Sequence, residues 1–337
     1  MKDVLSAARE RLQGVCRVCP ACNGKACAGE FPGMGGIRSG ASFMANISAL
    51  NAIHLKVRLL HEVRDTSTAC TLLGLNLSMP VLIAPIGGMS YNIKDALPEG
   101  PYTNAVVAGA KAEGLIACTG DAMPEIVFTE GLRAIKEQEG YGIPFIKPWA
   151  DKALFDERLE RAADTGCSIV GMDIDMAATR ARGGYPFAPR SAAELSAEVK
   201  KVHDRGLKFI LKGILCPEDA RIAEDCGCDA IVVSNHGGRI LEAAPSSAEV
   251  LPSIAAAVPS MTVLADGGIR HGSDILKMLA LGADGVLIGR PFVIGAVGGE
   301  AEGVRAVAAR FANELHEALR LTGCASVNDA NASILLR

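Results

Sequence analysis

Positive charge is in short supply in this sequence: 34 Lys and Arg stand against 38 Asp and Glu in 337 residues, a net charge of −4. A chain that grips nucleic acid needs surplus cations to neutralise phosphates, so nucleic acid is excluded as a partner. Long apolar runs are missing too. No uninterrupted stretch reaches the roughly 18 residues that suggest a membrane helix, and the N-terminus, MKDVLSAARERLQG, is charged and lacks the apolar centre of a secretion signal. These absences predict a cytoplasmic protein with no membrane partner. Disorder and coiled coil are excluded by composition, because 49% of residues are hydrophobic and only 21% charged. At this length the chain can bury a large core.

Eleven cysteines are present. Seven (Cys70, Cys118, Cys167, Cys216, Cys226, Cys228, Cys324) are dispersed, several within apolar runs, and read as small core residues in a reducing compartment. The other four, Cys16, Cys19, Cys22 and Cys27, crowd into CRVCPACNGKAC. That spacing is open to three readings: disulfides or free thiols, an iron–sulfur cluster, or zinc.

From residue 81 onward, short Val/Ile/Leu-rich segments alternate with stretches of helical length. Eight strands are predicted, at 81–88, 115–120, 144–149, 168–175, 208–214, 229–238, 261–268 and 285–291. Near-continuous apolar strands separated by helices imply a parallel sheet covered on both faces. Eight such units predict an α/β fold, a (β/α)8 TIM barrel, whose chemistry sits at the C-terminal ends of the strands. Residues 1–80 form an N-terminal extension carrying the cysteine cluster (16–27), with one helix and a pair of strands. Residues 81–337 form the barrel and a closing C-terminal helix.

The last two strand ends, ADGGIRHGSD and ADGVLIGRP, predict a phosphate site: glycines admit a close backbone approach, and Arg270 and Arg290 balance the charge. The sixth strand ends in SNHGGRILE. There His236 is a candidate base, and Arg239 a fork for a carboxylate.

SNHGGR, with LKGI before it and ADGGIR and GADGVLIGRPF after it, closely resembles the FMN-dependent 2-hydroxy-acid oxidase and dehydrogenase family. The resemblance runs from about residue 33 to 320. It implies that His236 takes the substrate hydroxyl proton as hydride passes to flavin N5, with Asp175 orienting the imidazolium. It implies that Arg239 clamps the carboxylate, with Arg182 a second arginine on the loop after the fourth strand. Lys212 would sit near flavin N1 and O2, with Thr119 and Ser234 as flavin-contacting hydroxyls. Ala84, Pro85, Ile86 and Gly87 would pack on the ring, and Asp266, Gly268, Arg270, Gly289 and Arg290 would hold the ribityl phosphate. A homotetramer is also implied; the electron acceptor is unknown.

The departures from the family pattern are specific. No tyrosine precedes the Ser-Gly-Ala turn in PGMGGIRSGAS, and the third strand carries Lys147-Pro148-Trp149 where the family has Gln-x-Tyr. The loop after strand four is short. Lys147 reads equally as a cation that replaces the lost carboxylate contact or selects a more acidic substrate, and as a donor to the flavin ring in place of the glutamine amide. Two other functions remain open at this level: an FMN reductase or isomerase acting on a different substrate, and a redox-sensing binding protein on a degenerate flavin barrel.

Overall fold

The computed structural model describes residues 1–178 and 186–336. Eight parallel strands form the barrel: β3 (Val81–Ile83), β4 (Ile116–Thr119), β5 (Ile143–Ile146), β6 (Ile169–Asp173), β7 (Lys208–Ile214), β8 (Ala230–Val233), β9 (Thr262–Asp266) and β10 (Gly285–Ile288). They pair in chain order, and β10 closes on β3 with Val286 opposite Val81. The predicted barrel is therefore the one observed.

Ahead of it lie α1 (Lys2–Arg11), α2 (Ala41–Ala52) and the hairpin β1 (Cys70–Leu72) with β2 (Leu75–Leu77). The extension thus holds two helices where one was expected. The second, ASFMANISALNA, carries almost no amphipathic pattern in the sequence. The hairpin plugs the N-terminal end of the barrel. Leu72 and Leu77 join the same apolar cluster as Leu82, Ile116, Phe145 and Leu264, and Lys208 at the start of β7 donates to the Leu73 carbonyl at 2.8 Å.

The crossover helices are α4 (Glu99–Ala112), α5 (Glu125–Glu137), α6 (Lys152–Ala163), α7 (Ala192–His203), α8 (Pro217–Asp225), α9 (Ser247–Ala257) and α10 (Gly272–Ala280). Local chemistry sets their starts: Ser191 with Glu194 and Ser246 with Glu249 form reciprocal capping boxes on α7 and α9. A single turn, α3 (Met89–Asn92), follows β3, and α11 (Arg290–Thr322) closes the chain with a break at Gly299 and Glu300. Among the described residues no helix is long and apolar enough to cross a membrane.

Strand alternation decides what the barrel interior contains. Side chains two apart face the same way, so Ile143 and Phe145 on β5, Ile169 on β6 and Ile210 on β7 fill the lower barrel. The next inward positions are Lys147, Asp173 and Lys212. Apolar layers below thus support an ionic layer at the C-terminal rim.

Candidate active site

That ionic layer is a continuous network. Lys147 Nζ stands 2.6 Å from Asp173 Oδ2, and Lys212 Nζ stands 3.0 Å from Asp173 Oδ1 and 3.2 Å from Asp175 Oδ2. His236 Nδ1 lies 3.0 Å from Asp175 Oδ1. Burial alone would raise the Asp173 carboxyl, but the Lys147 and Lys212 ammoniums reverse this and hold it well below the usual range. Burial likewise opposes the Lys212 charge, and Asp173 and Asp175 push its titration upward. Asp175 is held low, against burial, by Lys212 and then His236.

Asp173, Asp175 and His236 bring three ligand atoms within 4.8 Å of one another. The place a metal would take is filled by the Lys212 ammonium, so the trio is an ion-pair network.

The histidine is aimed by its turn. His236, Gly237 and Gly238 have φ values of +55°, +64° and +77°, a left-handed run that glycine adopts without strain. A Cβ on Gly238 would stand 2.3 Å from the Phe43 nitrogen, so the turn needs glycine for space as well. The His236 backbone N–H donates to Ser234 Oγ at 3.0 Å. Nδ1 is shared between Asp175 at 3.0 Å and Lys212 at 3.2 Å. Nδ1 lies between an acceptor, Asp175, and a donor, Lys212; the Asp175 contact is the shorter, and Lys212 can donate to Asp175 Oδ2 instead, so we assign the ring proton to Nδ1, donating to Asp175. Nε2 then keeps its lone pair, and among the described residues it has no hydrogen-bond partner.

Next to His236 lies a cavity of about 410 Å3, the size of a cofactor site. Its wall is built from the strand ends: Ala84, Pro85, Ile86 and Gly87 after β3, Lys147 after β5 and Lys212 on β7. His236 and Arg239 follow β8, Asp266 ends β9, and Gly268, Arg270, Gly289 and Arg290 complete the ring.

Two residues assigned to the flavin by resemblance face elsewhere. Alternation turns Cys118 inward and Thr119 outward, so the Thr119 hydroxyl sits against Gly131 on α5; Gly120 lines the cavity in its place. Ser234 Oγ donates to Asp266 Oδ2 at 2.8 Å, tying two strand ends together behind the wall. Arg182 lies outside the described residues.

Three arginines at this cavity lack a carboxylate partner among the described residues. Arg239 donates to the Gly33 carbonyl and Asn92 Oδ1, and Arg290 to the Met34, Gly35 and Gly237 carbonyls. Arg270 donates to the Cys22 and Ile269 carbonyls and leaves a buried Nη2 without a partner. Burial pushes Arg239 down to about 10 and, with Arg239 and Arg270 nearby, Arg290 to about 9. Arg239 also lies over the Phe31 ring, and Arg270 and Arg290 over Phe43, but guanidiniums that meet carbonyls and ring faces and no carboxylate keep a net charge that calls for anions. Arg270 and Arg290 fit a phosphate at the β9–β10 end, and Arg239 a carboxylate beside His236. The residues present therefore suit FMN.

Sequence reasoning missed Asp173, Asp121 and Tyr91. Asp173 was detectable, as an acid two residues before Asp175 on the inward face. Asp121 lines the cavity and accepts from Trp149 Nε1 at 2.7 Å and the Lys147 N–H at 3.1 Å, which fixes the tryptophan as a support beneath the wall. Tyr91, on α3, also lines the cavity; its ring lies over Gly88, where a Cβ would stand 1.9 Å from Cζ. No periodicity marks it, because it belongs to a single turn between β3 and α4.

The comparisons with known proteins agree with this geometry. The model of the FMN-dependent dehydrogenase family matches residues 33–193 and 188–337. The 4-hydroxymandelate oxidase of Amycolatopsis orientalis is 34% identical over 88% of this chain and 90% of its own length. The L-lactate dehydrogenase of Caulobacter sp. (strain K31) is 31% identical over 90% of this chain and 92% of its own. A crystal structure of mandelate oxidase superposes with a TM-score of 0.78 at 28% identity, covering 99% of this chain and 97% of that one. A variant of mandelate oxidase with an FMN monooxide adduct gives 0.74 at 31% identity, covering 99% and 98%.

The chain belongs to the FMN-dependent dehydrogenase family, that of the FMN-dependent 2-hydroxy-acid oxidases and dehydrogenases. The reductase, isomerase and binding-protein readings have no counterpart among these relatives.

Proposed function

We propose that the enzyme oxidises a 2-hydroxy monocarboxylic acid with an apolar side chain to the 2-oxo acid. The carrying observation is the pairing of His236, whose Nε2 is free to accept a proton, with Arg239, whose buried guanidinium has no carboxylate partner among the described residues. FMN, when bound, supplies the hydride acceptor. His236 removes the C2-hydroxyl proton, and Asp175 and Lys212 hold the ring in the correct tautomer. The resulting imidazolium is stabilised by the Asp175 carboxylate, which is already ionised.

Charge balance argues for one carboxylate on the substrate. Lys147 is not spare: Asp173 neutralises it, and Lys147 and Lys212 together face Asp173 and Asp175. The cation left to bind substrate among the described residues is Arg239. Phe31, Met123, Met176 and Phe187 supply apolar wall. In an assay of 2-oxo acid production, lactate-like and mandelate-like acids should turn over and hydroxydicarboxylates should not. Preference for a dicarboxylate would contradict the charge argument.

Tyr91 supplies the phenol that the family pattern places elsewhere. Its side chain lines the cavity close enough to feel the Arg239 charge, and its hydroxyl has no hydrogen-bond partner among the described residues. Burial, followed by the Glu99 carboxylate, pushes its titration up, so it stays a donor. A hydrogen bond to a charged group is worth roughly 1.5–3 kcal/mol. Tyr91→Phe should therefore lower kcat/KM by roughly ten- to a hundredfold with FMN content unchanged; wild-type kinetics would remove Tyr91 from the substrate.

Arg239→Lys should chiefly raise KM, because an ammonium loses the two-pronged contact. Equal KM in the two proteins would place the carboxylate elsewhere.

The cytoplasm and a homotetramer are part of the same proposal. Eleven cysteines, none in a disulfide, suit a reducing compartment. Val57, Leu59 and Leu60 are exposed beside Leu321, with Arg58 N–H donating to the Leu321 carbonyl, an apolar strip suited to contact between copies.

A further inference from the structure

The segment between α1 and the Gly-rich turn is held in shape without the usual means. Residues 12–40 contain no helix or strand, and within 13–32 only Val18 and Gly24 are buried. So little apolar burial does not offset the cost of ordering a chain, roughly 1–2 kcal/mol per residue for the backbone. An exposed ion pair, Arg17 with Glu30, adds little. A cross-link is needed, and the segment carries the material for one. Cys16, Cys19, Cys22 and Cys27 line a single small pocket and none is in a disulfide.

The chemistry of the pocket selects the occupant. No carboxylate lines it, which excludes the hard cations that prefer oxygen. Met34 and Ile294 form part of the wall, and Arg17 and Arg290 bring positive charge to a group that would carry thiolate charge. Among the described residues the trio of ligand atoms within 4.8 Å of one another is Asp173, Asp175 and His236, so no three of these sulfurs stand that close together. A tetrahedral zinc with Zn–S bonds of about 2.3 Å needs its sulfurs ~3.8 Å apart. Thiolates bound to different irons of one cluster sit further apart.

We propose that Cys16, Cys19, Cys22 and Cys27 hold an iron–sulfur cluster. This centre shares a wall with the FMN cavity, because Arg290 and Met34 line both. It also braces the phosphate end of that cavity: the Cys22 carbonyl accepts from Arg270 at 3.2 Å, and the Met34 carbonyl from Arg290 at 2.7 Å. The assignment rests on the cysteine loop alone and stands apart from the choice of substrate.

The test is metal and acid-labile sulfide analysis of the full-length flavoprotein purified without oxygen. Iron and sulfide in equal amounts are expected, with an electron paramagnetic resonance signal after reduction. The double variant Cys19→Ser, Cys22→Ser should lose all iron and sulfide while remaining folded by circular dichroism. If the variant does not fold, reconstitution of the unaltered protein with ferrous iron and sulfide decides the matter, since uptake must then be blocked by prior alkylation of these four thiols. Zinc without sulfide would overturn the proposal, as would four alkylatable thiols or two disulfides in a metal-free protein.

Discussion

His236→Ala should leave FMN bound and slow its reduction by substrate by about 10²–10⁴-fold, the usual contribution of a positioned general base. The residue reaches the cavity from a turn after β8, so its removal subtracts the proposed proton acceptor and leaves Arg270 and Arg290, the proposed phosphate ligands, in place. The separation of effects is the diagnostic. Stopped-flow absorbance under anaerobic conditions measures it, and a variant reduced at the wild-type rate would remove His236 as the base. Asp175→Asn should follow in the same direction, because the imidazolium would lose its counter-charge and the ring its fixed tautomer.

Asp173→Asn is expected to have the largest effect on stability. Asp173 is fully buried and balances two ammoniums at 2.6 and 3.0 Å. Removing one partner of a buried pair leaves uncompensated charge and costs about 3–5 kcal/mol. Thermal or denaturant unfolding of the FMN-bound protein reads this directly. The double variant Asp173→Asn, Lys147→Gln should recover part of the loss, since it removes one of the stranded cations. Failure of the second substitution to restore any stability would show that Lys147 and Asp173 are not energetically coupled. This pair distinguishes the chain from its family's Gln-x-Tyr pattern at the third strand.

The barrel was legible because its signal is repeated. Eight apolar strands, each followed by a helical segment, leave one closed parallel arrangement. The site was legible where polar residues interrupt strand ends, as at His236 and Arg239 in SNHGGR. Orientation was harder to read. Thr119 and Cys118 are adjacent in sequence, and which of them faces inward follows from the register with β5, where Cys118 lies opposite Ile143. Lys147 looked like a free cation because its partner, Asp173, is 26 residues away on the neighbouring strand. Tyr91 was invisible for the same reason: its place at the cavity depends on how the turn between β3 and α4 folds back over Gly88. Pairings across strands are set by the closed barrel, and a linear pattern does not display them.

In the proposed function His236, Arg239 and the arginine-lined cavity make a flavin-dependent hydroxy-acid oxidation site. Its most direct test is the visible absorption of the purified yellow protein during anaerobic addition of 2-hydroxy acids. A monocarboxylic acid with an apolar side chain is expected to bleach the flavin and yield one equivalent of 2-oxo acid. A flavin that no 2-hydroxy acid bleaches, and that NADH or NADPH reduces instead, would contradict that function.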